Sequence, residues 1–421
     1  MRSFYIVVIL ALVGFTFTGL SQDYKKTGGL ARLTGMGGNI YVADPFFTTI
    51  NPAWNSEYDN FLMGDLGSNA STPFSAGGSG QYISANFRLN KNWTLGGLLT
   101  RNDFNGFSIA LLDPGTNNSL GLPFPGVVST VNNIVGAGTV VPLDNNVEVI
   151  GTYSIGNTAV GLGVAYASTS NDFTPDTGAV TEGTASQIGV NLGILANITR
   201  SFKVDAGVSF VLPSATFTPP TGTETSASQT IILVNIRGFW MHSSKVTVVP
   251  VIAFATATGS FETGGTSTDL NSFTSFAAGL GMNYTVNDFL FAGGILFNTN
   301  TLTIPGNAAT STPDLDNTAM NFPIWNLGME WNMTDWFVAR LGYIAITGRA
   351  TAQVNGTTGI NEFGTTYFLP TTRGFTVGVG FRLGDFSLDA TVNEDVLRQG
   401  FNNIGGGGST FTYLSTSYAL P

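Results

Sequence analysis

The sequence contains no cysteine and only one histidine, His242, among its 421 residues. Without cysteine the chain forms neither disulfide bonds nor thiolate metal sites. A lone histidine at a turn completes neither a metal site nor a nucleophile–base–orienter set. We therefore expect no enzyme activity, no metal and no cofactor. The net charge of −10 also argues against nucleic acid as a partner, because proteins that bind nucleic acid present basic surfaces.

Charge and long apolar runs are scarce as well. Only 10% of the residues are charged, whereas a soluble domain carries about 25%. After residue 20 no apolar run reaches the length of about 20 residues that a membrane helix needs. A chain that is 43% hydrophobic and lacks such helices must satisfy its backbone groups differently. In lipid, the remaining solution is a closed β-barrel.

What the sequence does contain is a repeated alternation of apolar and polar residues from about Asn60 to its end. Between residues 202 and 210 every second residue is apolar, and the residues between them are Lys203, Asp205, Gly207 and Ser209. Successive strand residues point to opposite faces, so one face suits lipid and the other a polar lumen. The pattern predicts an all-β fold, a transmembrane antiparallel β-barrel. A soluble sandwich would show more charge, and a β-helix a fixed short repeat.

Turns and loops set the number of strands. Seven segments rich in Asn, Gly and Asp predict tight turns, near 89–92, 155–158, 197–200, 241–243, 286–288, 332–335 and 383–385. Long Gly/Ser/Thr/Asn segments predict loops near 67–79, 102–145, 169–184, 213–226, 256–271, 299–320, 348–370 and 394–410. These separate sixteen strands. Fourteen is the alternative, because the first strand, near 58–67, is weak.

The N-terminus predicts the destination of the chain. Arg2, an apolar stretch over residues 4–17 and small residues before Gln22 are typical of a secretory signal. An N-terminal membrane anchor is the alternative, for which the apolar run is short. We divide the chain into a signal peptide (1–21), an N-terminal segment (22–56) and a barrel (57–421). Short turns lie on the periplasmic side of such barrels, which predicts the outer membrane of a Gram-negative bacterium, with both termini periplasmic.

Charged residues at inward-facing strand positions are few. Lipid would penalise each of them by several kcal/mol, so we expect them to line the lumen: Arg88, Lys203, Asp205, Arg237, Glu330, Arg340, Arg382 and Asp389. In a wide porin they would form charge ladders along water. Their mixed signs, and inward glycines such as Gly161, Gly193 and Gly378, favour a narrow or plugged barrel. There the charges pair with each other or with a plug.

Residues 23–56 do not alternate, and their place would be inside the barrel or at its periplasmic mouth. A Gly-rich stretch, an acidic residue and an Asn-Pro-Ala turn resemble the N-terminal pattern of the FadL-like outer-membrane proteins. This group includes hydrophobic-compound transporters and the PorV-type proteins of type IX secretion. The resemblance implies a hatch that blocks the lumen and, with a kink in one strand, releases a hydrophobic ligand sideways. It is carried by Gly35, Met36, Gly37, Gly38, Asp44, Asn51, Pro52 and Ala53.

Two features depart from that group. Pro45 follows Asp44 where small polar residues are usual, and the group's barrel has fourteen strands. Asp44 has two interpretations: a latch between the hatch and a lumen arginine, such as Arg340 or Arg382, or a cap on a helix that begins at Pro45.

The loop over residues 102–145 is the longest and the least polar. Several of its apolar residues have helical spacing, and the apolar set comprises Leu122, Phe124, Val127, Val128, Val131, Ile134 and Val135. Loops are normally exposed and polar, so this surface needs a partner. One interpretation is a capture groove for a hydrophobic ligand. The other is packing of the loop into or over the barrel mouth.

These observations predict passive uptake of a hydrophobic small molecule, fatty-acid-like or hydrocarbon-like, through a hatch-gated barrel. The alternatives are a PorV-like scaffold or shuttle that binds a protein partner, and a general porin for polar solutes. The expected partners are membrane lipid and the hydrophobic ligand. The alternating C-terminal residues 411–421 resemble the strand that outer-membrane insertion machinery recognises, which adds that machinery as a partner during biogenesis.

Overall fold

The computed structural model describes residues 27–66, 81–101, 104, 108–109, 111–113, 126–173, 181–306, 311–354, 362–369, 374–392 and 411–420. The predicted signal peptide lies outside these residues. The described strands form one antiparallel sheet that closes on itself, because the first strand pairs with both the second and the last. The predicted β-barrel is therefore confirmed.

Among the described residues, eighteen strand segments build the wall. They are β1 (Phe61–Asp65), β2 (Tyr82–Arg88), β3 (Trp93–Arg101), β4 (Asn145–Ile155), β5 (Thr158–Phe173), β6 (Thr181–Thr199), β7 (Phe202–Thr218), β8 (Thr225–Met241), β9 (Val246–Thr263), β10 (Thr266–Asp269), β11 (Ser272–Val286), β12 (Phe289–Ile304), β13 (Leu315–Asn332), β14 (Phe337–Val354), β15 (Glu362–Leu369), β16 (Phe375–Leu383), β17 (Phe386–Val392) and β18 (Phe411–Ala419).

Two pairs of these segments are single strands with a short interruption. Both β10 and β11 pair with β9, one after the other along its length, and β15 and β16 pair in the same way with β14. The eighteen segments in the described ranges therefore make sixteen barrel strands, the larger of the two predicted numbers.

Among the described residues, helical structure is confined to short pieces. Helix α1 (Leu30–Gly35) and the 3₁₀ helices η1 (Pro45–Thr49) and η2 (Pro52–Ser56) belong to the N-terminal segment, and helix α2 (Val127–Val135) belongs to the loop between β3 and β4. Within the described part of the chain, no helix has the length and apolar character to cross a membrane.

The two faces of the wall differ as the alternation predicts. On β7, Asp205 and Ser209 are buried inside the barrel while Phe210 faces outward. A belt of exposed apolar side chains runs around the outside. Its members on successive strands include Ile83, Leu95, Val149, Leu162, Ile188, Leu212, Ile236, Ile252, Leu280, Phe291, Leu327 and Leu341.

The seven predicted turns lie within three residues of their positions, but several predicted loops are wrong in extent. The loop expected over 256–271 is in fact strand β9 running to Thr263, a turn at Gly264-Gly265, and β10. Strand β6 has 19 residues, whereas about 9–11 suffice to cross a bilayer. The strand ends opposite the short turns are rich in Thr and Ser. They therefore lose the alternation of apolar and polar residues, although their backbone hydrogen bonds to the neighbouring strands continue.

Candidate functional site

The chain before β1, residues 27–60, lies within the ring of strands, and glycines of the inner wall make room for its backbone. It comprises the described part of the predicted N-terminal segment (22–56) and the four residues that follow, and is called the N-terminal segment from here on. A methyl group added at Gly35, the last residue of α1, would come within 3.0 Å of the Gly378 Cα atom on β16. A methyl group at Gly342 on β14 would collide with the Gly37 amide nitrogen. The Gly-rich stretch found in the sequence is therefore one half of a backbone-to-backbone contact.

The Asn-Pro-Ala turn fits a second pair of glycines. The Asn51 side chain accepts a hydrogen bond from the Ala53 amide (2.9 Å), and so starts η2. Its Nδ2 atom donates to the Asp205 carboxylate on β7 (2.6 Å). Any side chain at Gly193 or Gly161 would collide with this turn. The turn is thus fixed to the wall by one polar contact and two close approaches.

Tyr41 occupies a third such place, which the sequence reasoning missed. Its ring is fully buried and lies where side chains at Gly281 and Gly294 would otherwise project. Those two glycines face each other directly between β11 and β12. A pair of inward glycines at matching positions in adjacent strands is the sequence signal that could have indicated a bulky partner.

An apolar core joins the segment to the wall. It contains Leu33, Met36, Tyr41, Val42, Phe46, Phe47, Trp54, Tyr58, Phe61, Met63, Tyr82, Leu98, Phe104, Leu195, Phe239, Val249 and Val251. The Trp54 and Tyr58 rings stack at 5.8 Å between centroids. The Arg237 guanidinium carbon lies 3.6 Å from the centre of the Phe47 ring, within the range of a cation–π contact.

Buried ion pairs connect helix α1 to the wall. The Arg32 Nε atom lies 2.8 Å from a carboxylate oxygen of Glu330, which also accepts a hydrogen bond from Arg340 (2.6 Å). Arg340 continues to Asp389 at 2.7 Å. The network therefore runs from the N-terminal segment across β13 and β14 to β17. Arg32 was not among the candidate residues drawn from the sequence, because its partner is distant in the chain.

Asp44 acts as a helix cap, and its ionic partner is Arg32 rather than Arg340 or Arg382. Its carboxylate accepts hydrogen bonds from the Phe46 amide (2.9 Å) and the Gly29 amide (3.0 Å), and lies 3.0 Å from Arg32. The predicted direct latch to a wall arginine is therefore wrong, because α1 places Arg32 between Asp44 and the wall. Burial raises the pKa of the Asp44 carboxyl to about 6, against the opposing effects of Arg32 and the two amides.

Each of the eight predicted lumen charges has an ionic partner. Besides the Glu330 network, Asp205 pairs with Arg237 (2.5 Å), Lys203 with Glu57 (2.7 Å), Arg88 with Asp59 and Arg382 with Asp389 (2.9 Å). Arg88 lies at the short-turn end of β2 with its side chain half exposed. Three of these partners, Arg32, Glu57 and Asp59, belong to the N-terminal segment.

The loop between β3 and β4 fills the opposite half of the lumen. On α2, Val127, Val128 and Val131 are fully buried and pack on the inner faces of β7 and β8. Asp113 accepts hydrogen bonds from the first two helical amides, at 2.9 and 3.1 Å. The apolar face proposed for ligand capture is thus in contact with the wall, apart from Ile134, which is 46% exposed. Val135 is partly buried, and Leu122 and Phe124 lie outside the described residues.

Two fillings therefore occupy the barrel, the N-terminal segment and the loop between β3 and β4, and they touch where Phe104 of the loop packs near Phe46 of the segment. Along β5, Ala159 and Gly161 contact the N-terminal segment, while Ala167 packs with the loop residues. Across β6, Asn191 donates to the Ile50 carbonyl oxygen of the segment (2.9 Å) and Gln187 donates to a carbonyl oxygen of the loop (2.6 Å). Any solute that crosses this lumen requires movement of both fillings or a path around them.

No protein-family model and no curated protein matches this sequence significantly. Among solved structures, the chain is similar to the FrpB iron transporter from Neisseria meningitidis, with 10% identity, a TM-score of 0.36, and coverage of 81% of this chain and 69% of that one. It is similar to the toluene transporter TodX from Pseudomonas putida, with 9% identity, a TM-score of 0.34, and coverage of 94% and 97%. A Pseudomonas aeruginosa FadL homologue has 13% identity, a TM-score of 0.37, and coverage of 92% and 98%.

Proposed function

We propose that this protein is an outer-membrane transport protein that takes up hydrophobic small molecules passively, with the N-terminal segment as its hatch. The observation that carries the proposal is a closed sixteen-stranded barrel whose lumen is filled by a non-covalently held segment. A wall with an apolar outer belt is stable in lipid, since soluble proteins rarely expose apolar patches larger than a few hundred Å².

The ends of the barrel support a periplasmic position for both termini. The Leu420 amide donates to the Asn60 carbonyl oxygen (2.7 Å), so the beginning and the end of the wall meet at the edge that carries the short turns. In outer-membrane barrels that edge faces the periplasm. The N-terminal segment then enters the lumen from the periplasmic side, where a hatch would open.

The contacts that hold the N-terminal segment in the lumen are of a kind that can break and form again. It is held by directional pairs at a few places, among them Arg32 with Glu330 (2.8 Å) and Asn51 with Asp205 (2.6 Å). Such contacts are well defined when made, and their groups are rehydrated by water when broken. Their net contribution is modest, because the desolvation of buried ions offsets much of their attraction.

A hydrophobic substrate is supported by the chemistry of both fillings. The loop between β3 and β4 contributes buried valines, and the N-terminal segment contributes Phe46 and Phe47, near Phe104 of the loop. A solute that displaced either filling would meet these apolar side chains. The eight charged residues predicted to line the lumen are all engaged in ion pairs, which leaves few free charges to attract a polar solute.

A sideways exit, as the FadL-like resemblance implies, needs an irregular wall. The register shifts between β12 and β13 at Leu296/Asn298 and between β13 and β14 at Asn321/Ile324. These two bulges are adjacent, and Phe322 between them is 58% exposed on the outside. We place the proposed exit at this part of the wall, because bulges locally interrupt the hydrogen-bond ladder.

The test exploits the absence of native cysteine. The Cβ atom built at Gly328 lies 3.0 Å from the Met36 Cβ atom, close to the spacing of about 3.5–4.5 Å in disulfides. A Met36→Cys/Gly328→Cys double variant should therefore join the segment to β13. We expect no ion conductance in planar bilayers and no uptake of radiolabelled oleate into proteoliposomes while it is oxidised, with uptake restored by reductant.

The two single-cysteine variants are the controls, and both should transport under either condition. Deletion of residues 31–47 should raise the leak conductance. Unchanged conductance after the deletion would rule out the hatch, and steady open-channel conductance of the intact protein would favour a porin. A co-purifying protein partner, with no oleate uptake, would favour the scaffold alternative.

A further inference from the structure

Glu148 on β4 lies at the level where the two fillings of the lumen meet. It is 1% exposed, and the inward residues two positions before it and four positions after it contact different fillings. Asn146 donates to the Ile109 carbonyl oxygen of the loop (3.1 Å), and Thr152 donates to the Pro52 carbonyl oxygen of the N-terminal segment (2.7 Å). The carboxylate is therefore enclosed between the loop and the segment, on the inner wall.

The side-chain oxygens of Glu148 and of its neighbour Asn146 lack hydrogen-bond donors within the described part of the chain. Among the described residues, neither carboxylate oxygen of Glu148 has a hydrogen-bond partner, and neither does the Oδ1 atom of Asn146. The two residues are two positions apart on one strand, so their side chains leave the same face as neighbours. Three buried acceptor atoms on one face of β4 thus have no donor in the ranges that the structure describes, whereas buried polar groups in folded proteins are normally paired.

Glu148 has no positively charged residue on its own strand, on the next two strands or in the loop. Strands β4, β5 and β6 contain no Lys, Arg or His, and neither does any residue of the loop from 102 to 144. By contrast, Asp205, Glu330 and Asp389 each pair with an arginine of the wall. On β3, the other neighbour of β4, Arg101 lies six positions from the outward Leu95 and therefore on the outer face, where it donates to Gln81 (3.1 Å). Glu148 thus receives no inward counter-charge from its own strand or from the strands beside it.

We propose that Glu148 and Asn146 bind a monovalent metal cation of the Na⁺ or K⁺ kind. A buried carboxylate is stable when it is paired or coordinates a metal, and carboxylate and carboxamide oxygens are ligands of hard cations. One carboxylate balances one positive charge. A divalent ion would leave a net positive charge in a site of low polarity, at a large electrostatic cost.

The opposite strand is shaped to accommodate the carboxylate. Ala165 of β5 pairs with Glu148, and Gly163 pairs with Ile150, two positions further along β4. Any side chain at Gly163 would collide with the Oε1 atom of Glu148. Gly163→Ala should therefore displace the carboxylate and weaken cation binding. Gly151→Ala is the matched control, because a methyl group at Gly151 on β4 meets nothing within 4 Å.

The test is crystallographic, with Tl⁺ as a heavy substitute for the cation. Crystals of the full protein grown with thallous acetate should show an anomalous difference peak within bonding distance of Glu148 and Asn146. The peak should be absent in Glu148→Gln, weaker in Gly163→Ala and unchanged in Gly151→Ala. Absence of the peak in the wild-type protein, or its persistence in Glu148→Gln, would overturn the proposal.

Infrared spectroscopy separates a metal ion from a proton. If Glu148 binds a cation, its carboxylate is ionised. The wild-type protein and Glu148→Gln should then show the same protonated-carboxyl bands in potassium buffer. A band that disappears in this variant would show that a proton neutralises the site, and would overturn the proposal. If Glu148→Gln does not fold, Asn146→Ala serves the crystallographic comparison, because it removes one ligand and should weaken the anomalous peak.

Discussion

Glu330 and Glu148 are two glutamates buried on the inner wall of one barrel, and their surroundings are opposite. Glu330 lies between Arg32 and Arg340, at 2.8 and 2.6 Å. Glu148 has no hydrogen-bond partner within the described ranges, and strands β4–β6 carry no basic residue. The first carboxylate joins the N-terminal segment to the wall, whereas the second is left for a ligand from outside the chain. Burial alone therefore does not indicate what a lumen charge does.

The same conservative substitution at the two positions should give different results, and Glu330→Gln should give the largest effect. It leaves Arg32 and Arg340 buried without their carboxylate, and breaking a buried pair in this way costs about 3–5 kcal/mol. We expect residues 27–60 to detach more readily. Hydrogen–deuterium exchange of the α1 amides in detergent should accelerate, and the leak conductance should rise.

Glu262→Gln is the control for that variant, because Glu262 is an exposed carboxylate on β9. It should leave exchange and conductance as they are in the wild-type protein. If Glu330→Gln exchanges no faster than Glu262→Gln, the ionic network does not hold the segment, and the distinction between the two buried glutamates loses its basis.

The close approach of backbones offers a second way to loosen the same region without altering charge. Gly342→Ala would push a methyl group into the Gly37 amide, and overpacking of this kind costs about 1–3 kcal/mol. Gly374→Ala on the same wall is the control, since nothing lies within 4 Å of its added methyl group. Faster exchange at residues 35–38 in the first variant alone is the expected result. Equal exchange in both would show that the segment adjusts without cost.

The sequence predicts the barrel well because the relevant signals are local. Alternation over five residues identifies a wall strand, and Asn, Gly or Asp identifies a tight turn. It fails at the outer strand ends, where Thr and Ser occupy both faces and only the backbone ladder continues, as in β9 near Thr263. Strand ends that leave the membrane no longer need an apolar face, so the signal disappears before the strand does.

Individual partners were harder to predict than positions. Asp44 was expected to contact a wall arginine or to cap a helix, and the contact with Arg32 depends on how α1 folds back on the segment. Glu148 was omitted from the lumen charges, although it lies between Val147 and Val149, which are 51% and 57% exposed. The rule that selected Asp205 on β7 selects Glu148 too. What the sequence does not contain is the distance between residues from different elements.

The second filling should respond to its own core rather than to charge. Val131→Ala on α2 removes two buried methyl groups, which corresponds to on the order of 2 kcal/mol. Ile134→Ala, on the exposed side of the same helix, should change stability by less than about 0.5 kcal/mol. We expect faster amide exchange in α2 for Val131→Ala alone. If both variants behave alike, the helix does not rely on β7 and β8 for its position.

The smallest effect is expected at Glu148, and its sign completes the comparison with Glu330. In buffer that contains choline as the only small cation, the wild-type carboxylate lacks a metal counter-ion, whereas the neutral amide of Glu148→Gln needs none. Replacing a buried, unpaired charge with a neutral group of similar shape is neutral or stabilising. The unfolding midpoint of the variant should therefore equal or exceed that of the wild-type protein. Adding potassium at constant ionic strength should raise only the wild-type midpoint, because a ligand stabilises the state that binds it. A lower midpoint for the variant in choline would mean that Glu148 has a partner within the chain, as Glu330 does.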